Sequence, residues 1–576
     1  MWTRTIMPLV ALVTLSAGTY AQFNNPEGVD IWCGKAYRAG DASFSPGGGF
    51  VDPPLSPTPL LHLQVKPRMS IYLDTDVEGS IIVNTGVSRQ LGEPIAAKYL
   101  SPSLSSLEKV LKLVVLANGT PMTTAVLGIN STNNEIAIDL GYLAARFNPH
   151  NITVLATLAN GIVYSASTTL HRLPYPDDYG SVSRLDNLYG GLWVQRGKNS
   201  TWEVIFPYTY YVQWSLYWDS NVTTLDDFAA MGYNMIHIVP TGTLAESPFP
   251  WDQFQPYLDR AAELGLFLQY DFSWTPTNDS SMVEQATRLR KHPSILLWYQ
   301  SDEPDGKSNP LNSTGLARNT LWTIDPYHPS SLALNCADFY YSDYAAGGEI
   351  VISDVYPVST NTSWSTVYDT PCNATYGCCG CDNCGGSFED ITLRLQDFHH
   401  RDELLGWQKT HWAAPQAFGN ETFWTRYPNA AEVIVMSLVA VNHGAKGLVA
   451  WDFPTTAGLS MATTQLAKVM TSSVFSSFVL QTPISESLAI QGGSLVDAAV
   501  WVNKETKEAL LTVINLNYAD LKLPIQVALP ANITVESVSS NLWGNVSWSV
   551  TGEGNTLLAS AGLLGLQASM VILSLA

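Results

Sequence analysis

Between about residue 22 and residue 180 the chain alternates short apolar runs, at 61–65, 80–84, 110–115 and 152–157, with clusters of Gly, Pro, Asn and Ser. Strands of that length at that spacing predict a β-sandwich rather than βα units. Residues 174–180, rich in Pro, Asp and Tyr, are expected to be a linker. From about 204 to 457 the pattern changes, and apolar runs alternate with longer amphipathic stretches. That alternation predicts a parallel sheet with helical crossovers. The expected strands are 210–217, 235–239, 267–271, 295–299, 331–335, 350–354, 407–415 and 447–452. Helices are expected between them, for example at 430–441 and at 252–264. In the latter, Phe254, Leu258, Ala261, Ala262 and Leu266 fall near one face. Eight strands in about 250 residues is the size of a (β/α)8 barrel. A doubly wound open sheet is the rival, but no Gly-rich phosphate loop follows the first strand. From about 485 strands and turns return, as at 510–516, and predict a second small sandwich. The expected fold is therefore multi-domain: a β-sandwich over 22–180, a (β/α)8 TIM barrel over 181–480 and a C-terminal β-sandwich over 481–576.

The two ends of the chain add information about location. Arg4 followed by an apolar run from Met7 to Ala17 and the small-residue site at Ala21 reads as a secretory signal, with cleavage expected after Ala21. A dozen Asn-x-Ser/Thr sequons agree with export, among them Asn118, Asn151, Asn221, Asn361, Asn420 and Asn545. No internal segment reads as a membrane span. The apolar tail 557–576 has two readings, a GPI-anchor signal or a final core strand at 568–575. The poor polar spacer upstream favours the strand.

Composition narrows the function class. Apolar residues make up 46% and charged residues 14%, which supports large cores and argues against disorder. The net charge of −21 repels phosphate backbones, so nucleic acid is not an expected partner. With 18 Trp and 26 Tyr the chain is well supplied with rings that stack on sugars, although sandwich cores use them too. Seven cysteines suit an oxidising compartment. Five crowd one segment: Cys372, Cys378, Cys379, Cys381 and Cys384. Zinc is an alternative there, since Cys381 and Cys384 have ligand spacing, but export favours disulfides. Cys33 and Cys336 are possible outside partners.

Barrel enzymes carry their chemistry at the C-terminal ends of the strands. Those ends hold acids and aromatics: Asp271 and Trp274 after the third strand, Asp302 and Glu303 after the fourth, Asp354 and Tyr356 after the sixth. Gln416, Glu421 and Trp424 follow the seventh, and Trp451 and Asp452 end the eighth. Glycoside cleavage needs one carboxyl group to protonate the leaving oxygen and a second to attack the sugar or activate water. A lone Asp at a strand end is often only a helix cap or an ion-pair partner. A metal site using His237, His411 or the pair His399 and His400 lacks recognisable spacing, and no G-x-S-x-G elbow is present. His237, in mid-strand, is read as a core histidine, and His411 as a possible substrate contact. No cofactor is required.

His292, Pro293, Ser294, Ile295 and Trp298, leading into Asp302, Glu303 and Pro304, resemble the strand-4 signature of the clan A glycoside hydrolases. A sandwich ahead of the barrel is similar to the β-galactosidase/β-glucuronidase arrangement. The resemblance implies a glycoside hydrolase with Glu303 as general acid/base, acting on a carbohydrate substrate. Two positions depart from the clan. Asp302 stands where Asn is usual, which implies altered recognition or a protonated carboxyl. Gln416 stands where the nucleophilic Glu is expected, leaving Glu421, Asp354, Asp271 or Asp452 as the second carboxylate. Trp274, Tyr356 and Trp451 are expected to line subsites. The alternative is a sugar-binding or cell-wall protein on a barrel that has lost its nucleophile.

Overall fold

The computed structural model describes residues 31–36, 47–101, 109–241, 250–273, 275–367, 369–373, 379–486 and 488–576. The secretory signal, Trp274 and Cys378 lie outside them. At the centre is a closed barrel of eight strands, all parallel: β1 (Tyr208–Gln213), β2 (Met235–Val239), β3 (Phe267–Asp271), β4 (Ile295–Asp302), β5 (Ser330–Leu334), β6 (Ile350–Ser353), β7 (Thr410–Ala413) and β8 (Leu448–Phe453). Each strand is followed by a helix: α1 (Thr224–Ala230), α2 (Trp251–Glu263), α3 (Asp279–Leu289), α4 (Ser313–Ile324), α5 (Tyr341–Ala345), α6 (Glu389–Leu405), α7 (Ala430–Asn442) and α8 (Ala457–Met470). The (β/α)8 fold stands, flanked by β-sheet regions.

Strand boundaries correct the expectation at two places. β1 starts two residues early and ends at Gln213, because the chain turns into short 3-10 segments at Trp214–Leu216 and Trp218–Ser220. Their tryptophans are buried, so an apolar run continued past the strand. β7 is shorter than 407–415. Gly406 caps α6 with φ +68°, and the Trp407 N–H still donates to Asp402 O, so the helix end occupies the start of that run.

Before the barrel, two four-stranded sheets enclose a core that includes Leu61, Ile81, Val83, Leu113, Val115, Ile152 and Val154. A three-stranded sheet, Val182–Leu185, Leu192–Gln195 and Glu203–Ile205, then closes the N-terminal end of the barrel. Ser181 Oγ and Ser183 Oγ donate to the carbonyls of Ile295 and Leu296 (2.8 and 2.5 Å), and Leu185, Leu192 and Val194 join the barrel's inner core. After the barrel come a five-stranded and a four-stranded sheet. Ala568–Leu575 is a strand of the former, paired on both sides, so the apolar tail is core and not a free segment. No helix among the described residues is long and apolar enough to cross a membrane.

Among the described residues three disulfides are formed: Cys33–Cys336, Cys372–Cys379 and Cys381–Cys384. The last takes the pair whose spacing suited zinc. Asn118, Asn151, Asn221, Asn361, Asn420 and Asn545 are all exposed.

Candidate active site

β4 carries the central acid. Ile295 to Tyr299 are fully buried, and the strand runs to Asp302 at the C-terminal end of the barrel. The next residue, Glu303, has φ +45°, a left-handed conformation that costs a non-glycine residue on the order of 1 kcal/mol. Its N–H donates to Ala333 O on β5 (3.2 Å), and its carbonyl accepts from Lys307 N–H (3.0 Å). Asp305 ties the same turn to the β5 loop, its carboxyl accepting from the N–H groups of Gly306 and Cys336 (2.8 Å each). A non-glycine residue persists in that conformation because these partners over-determine it.

Glu303 lines a cavity of ≈ 350 Å³, within the range of small-molecule sites. The cavity brings together six of the expected residues: Asp302, Glu303, Asp354, Tyr356, Glu421 and Trp451. Trp424 and Phe418 join them. Phe418 packs edge-on to Tyr356 at 5.0 Å and to Trp424 at 4.7 Å, and Trp424 Nε1 donates to Tyr356 O (2.9 Å). Gly380, from the Cys-rich segment, also lines the cavity. A Cβ there would meet the Trp424 ring at 2.6 Å, so only glycine allows that approach.

The carboxyl groups of Glu303 and Asp354 are neighbours in the cavity wall, close enough for each to shift the other. With both carboxyls raised, the pair holds a proton near neutrality. The buried Asp354 Oδ1 has no hydrogen-bond partner among the described residues. Burial, then the charge of Asp302, raises the Glu303 carboxyl to about 8, partly offset by Lys307. Glu303 exposes some surface to the cavity, yet the cavity is deep enough for burial to dominate. Asp354 is pushed well above the usual carboxylate range by burial and by Glu303. Asn335 Nδ2 donates to Glu303 Oε1 (2.9 Å).

Asp302 is engaged differently. Tyr299 OH and Lys307 Nζ both donate to it, at 2.7 Å each, and Tyr211 OH donates to Tyr299 OH (3.1 Å). Two donors directed at one carboxyl make Asp302 an acceptor. Glu421, in contrast, accepts no side-chain hydrogen bond among the described residues. Burial and the charge of Asp452 raise it above its ordinary value.

Four expected residues fall outside the cavity lining. Asp271 is buried against His237 (Nε2–Oδ2 2.9 Å), and His237 is the core histidine anticipated, packed edge-on to Tyr211 and Tyr299. Asp452 accepts from Gln213 Nε2 (2.7 Å). Gln416 is fully buried and clasps the Val358 backbone: Oε1 accepts from Val358 N–H (3.0 Å) and Nε2 donates to Val358 O (3.1 Å). His411 sits near the N-terminal end of the barrel, paired with Asp402 (2.8 Å). It packs against Phe398 and His399, away from the cavity that holds Glu303. Asn335 and Trp32 are cavity residues that the sequence did not single out. Asn335 follows β5, so the strand-end rule would have reached it. Trp32 carried no signal except its neighbour Cys33.

No family model and no curated protein matches the chain. Solved structures do show likeness. A β-glucuronidase from Ruminococcus gnavus, in complex with D-glucuronic acid, is 10% identical over 69% of this chain and 63% of its own, with a TM-score of 0.31. A glycosyl hydrolase family 2 member from Bacteroides cellulosilyticus is 8% identical over 89% and 76%, with a TM-score of 0.32. A debranching enzyme from Nostoc punctiforme, soaked with acarbose, is 12% identical over 61% and 88%, with a TM-score of 0.40. The chain spans less than two thirds of the length of the first of these.

Proposed function

We propose that the chain is a secreted glycoside hydrolase that cleaves O-glycosidic bonds of an extracellular oligo- or polysaccharide, with Glu303 as the general acid. The observation that carries the reading is the neighbouring pair of raised carboxyls, Glu303 and Asp354, lining an aromatic-walled cavity at the C-terminal end of a (β/α)8 barrel. A general acid must keep its proton near neutrality, and a raised carboxyl does so. Glu303 gives that proton to the leaving oxygen as the C–O bond breaks.

The second carboxylate is Glu421. In retaining glycosidases the two carboxyl groups stand about 5–5.5 Å apart and in inverting ones about 6.5–9.5 Å. Asp354, pushed well above the usual carboxylate range by burial and by Glu303, is not the ionised carboxylate that attacks a sugar or activates water. Asp354 is then the buried neighbour of the acid, itself held protonated by burial and by the Glu303 charge. Glu421 lines the same cavity with no side-chain donor holding it. Export is supported by the three disulfides, the exposed sequons and the signal-like start.

The test is reducing-sugar release from a panel of polysaccharides by the purified protein, beside Glu303→Gln and Glu421→Gln, with product anomers read by NMR. No release on any substrate by the wild type would sink the hydrolase reading. A second reading, sugar binding without turnover, is favoured by Gln416, because an amide locked onto Val358 cannot serve as a nucleophile. It predicts carbohydrate affinity in all three proteins and hydrolysis in none.

A further inference from the structure

The barrel does not build its cavity alone. Ile31–Trp32 and Lys35–Ala36 form a two-stranded ribbon, and Ile31 and Trp32 line the cavity. Three attachments hold the ribbon there. Cys33 is bonded to Cys336 across 303 residues of sequence. Lys35 Nζ pairs with Asp382 at 2.5 Å, both side chains being buried. Trp32 lies on Gly306, where an added Cβ would come within 2.4 Å of the indole.

The hydrogen bonds around Trp32 run into the catalytic pair. Trp32 Nε1 donates to Asn335 Oδ1 at 2.9 Å. An indole N–H only donates, so the atom of Asn335 that faces it must be the amide oxygen. The amide nitrogen must therefore face Glu303 Oε1, at 2.9 Å. Trp32 thus decides that Glu303 meets a donor. If the amide turned round, Glu303 would meet a second acceptor.

We propose that this disulfide-anchored ribbon is part of the active site: Trp32 is a stacking wall for the bound sugar and, through Asn335, a positioning residue for Glu303. The turnover part of this proposal rests on the glycosidase reading; the binding part does not. A consequence is that the site is complete only when Cys33 and Cys336 are oxidised.

The experiment uses the full chain, with Trp32→Phe, Trp32→Ala and the double variant Cys33→Ser/Cys336→Ser. Two quantities are read: kcat and KM across pH on a glycoside the wild type cleaves, and oligosaccharide binding by calorimetry. Trp32→Phe keeps a ring and loses the N–H. Its sugar affinity should stay within about twofold, while kcat falls about fivefold. The basic limb of its pH profile should move to higher pH, since a carboxylate that loses a donor is less stable. Trp32→Ala should in addition weaken sugar binding about tenfold, and the double serine variant should match it. Trp32→Ala with wild-type affinity and KM would overturn the stacking role. Trp32→Phe with wild-type kcat and pH profile would overturn the positioning role. A wild type that binds sugar without turnover would defeat the hydrolase reading alone, because the affinity of Trp32→Ala still decides the wall. A wild type that binds no sugar would overturn both.

Discussion

At the C-terminal end of the barrel the raised carboxyls of Glu303 and Asp354 stand side by side and face an open cavity. At the N-terminal end His411, His443 and Lys446 are just as buried, but each is fixed to a protein partner. His411 holds Asp402, His443 holds Asp497 at 2.6 Å, and Lys446 Nζ donates to Val479 O at 3.0 Å. Burial alone therefore does not mark a functional group in this molecule. The catalytic end is set apart by titratable groups that shift one another, beside space that a ligand can fill. The lower end spends its charges on joining the barrel to its neighbours, as His443 does with Asp497 and Glu486 ahead of and within the C-terminal sheets. In (β/α)8 enzymes stability generally belongs to the N-terminal face and chemistry to the C-terminal face.

The largest expected effect comes from the upper end. Glu303→Gln should lower kcat/KM by about 10²–10⁴, the usual range for a lost general acid, with its thermal midpoint unchanged. A loss of folding in calorimetry would mean that the residue is structural. The pH profile sharpens the comparison. Glu303 must be protonated to act, so activity should fall as pH rises through about 8. Asp302 is the charged neighbour that contributes most to this raised value after burial. Asp302→Asn should therefore move the basic limb to lower pH; a limb that stays put would detach Asp302 from the acid.

At the lower end the effects should appear in stability and leave catalysis alone. His411→Ala removes one of two partners from Asp402, the other being Tyr341 OH. It should cost roughly 1–3 kcal/mol in denaturant unfolding, with kcat/KM within about twofold. A large kinetic defect with intact folding would restore His411 as a substrate contact. Burial alone would lower the His443 imidazole, but the hydrogen bond to Asp497, the ion-pair contact with Glu486 and their charges outweigh it and raise it to about 9. A raised histidine stabilises fully below its unfolded value, about 6.5, and loses that contribution as pH climbs through the folded one. His443→Gln should therefore destabilise by on the order of 1–2 kcal/mol near pH 6 and by almost nothing near pH 10. An equal loss at both would show that the contact is packing and not charge.

The barrel was legible because continuous apolar runs such as Ile295 to Tyr299 are bounded by sharp polar signals: His292 and Pro293 before, Asp302 to Pro304 after. The sheet beneath the barrel was not legible. Its strands have four, four and three residues, too short to show a period. Six site residues were readable from the strand-end rule, which depends only on local order along the chain. Gln416 obeyed the same rule and failed it, since position at a strand end does not say which way an amide turns. Trp32 was out of reach for a different reason. Its place in the cavity is created by contacts with residues 274 and 303 positions away, at Gly306 and Asn335, and no local pattern encodes them.

The central claim is that Glu303 protonates the leaving group. The direct measurement compares wild type and Glu303→Gln on aryl and alkyl glycosides of one sugar, graded by the acidity of the departing alcohol. A strongly acidic phenol leaves without a proton, so the account predicts that Glu303→Gln loses little bond-cleavage rate on it and progressively more as the alcohol becomes more basic. A uniform loss across the whole series would contradict the assignment and place Glu303 in binding or structure instead.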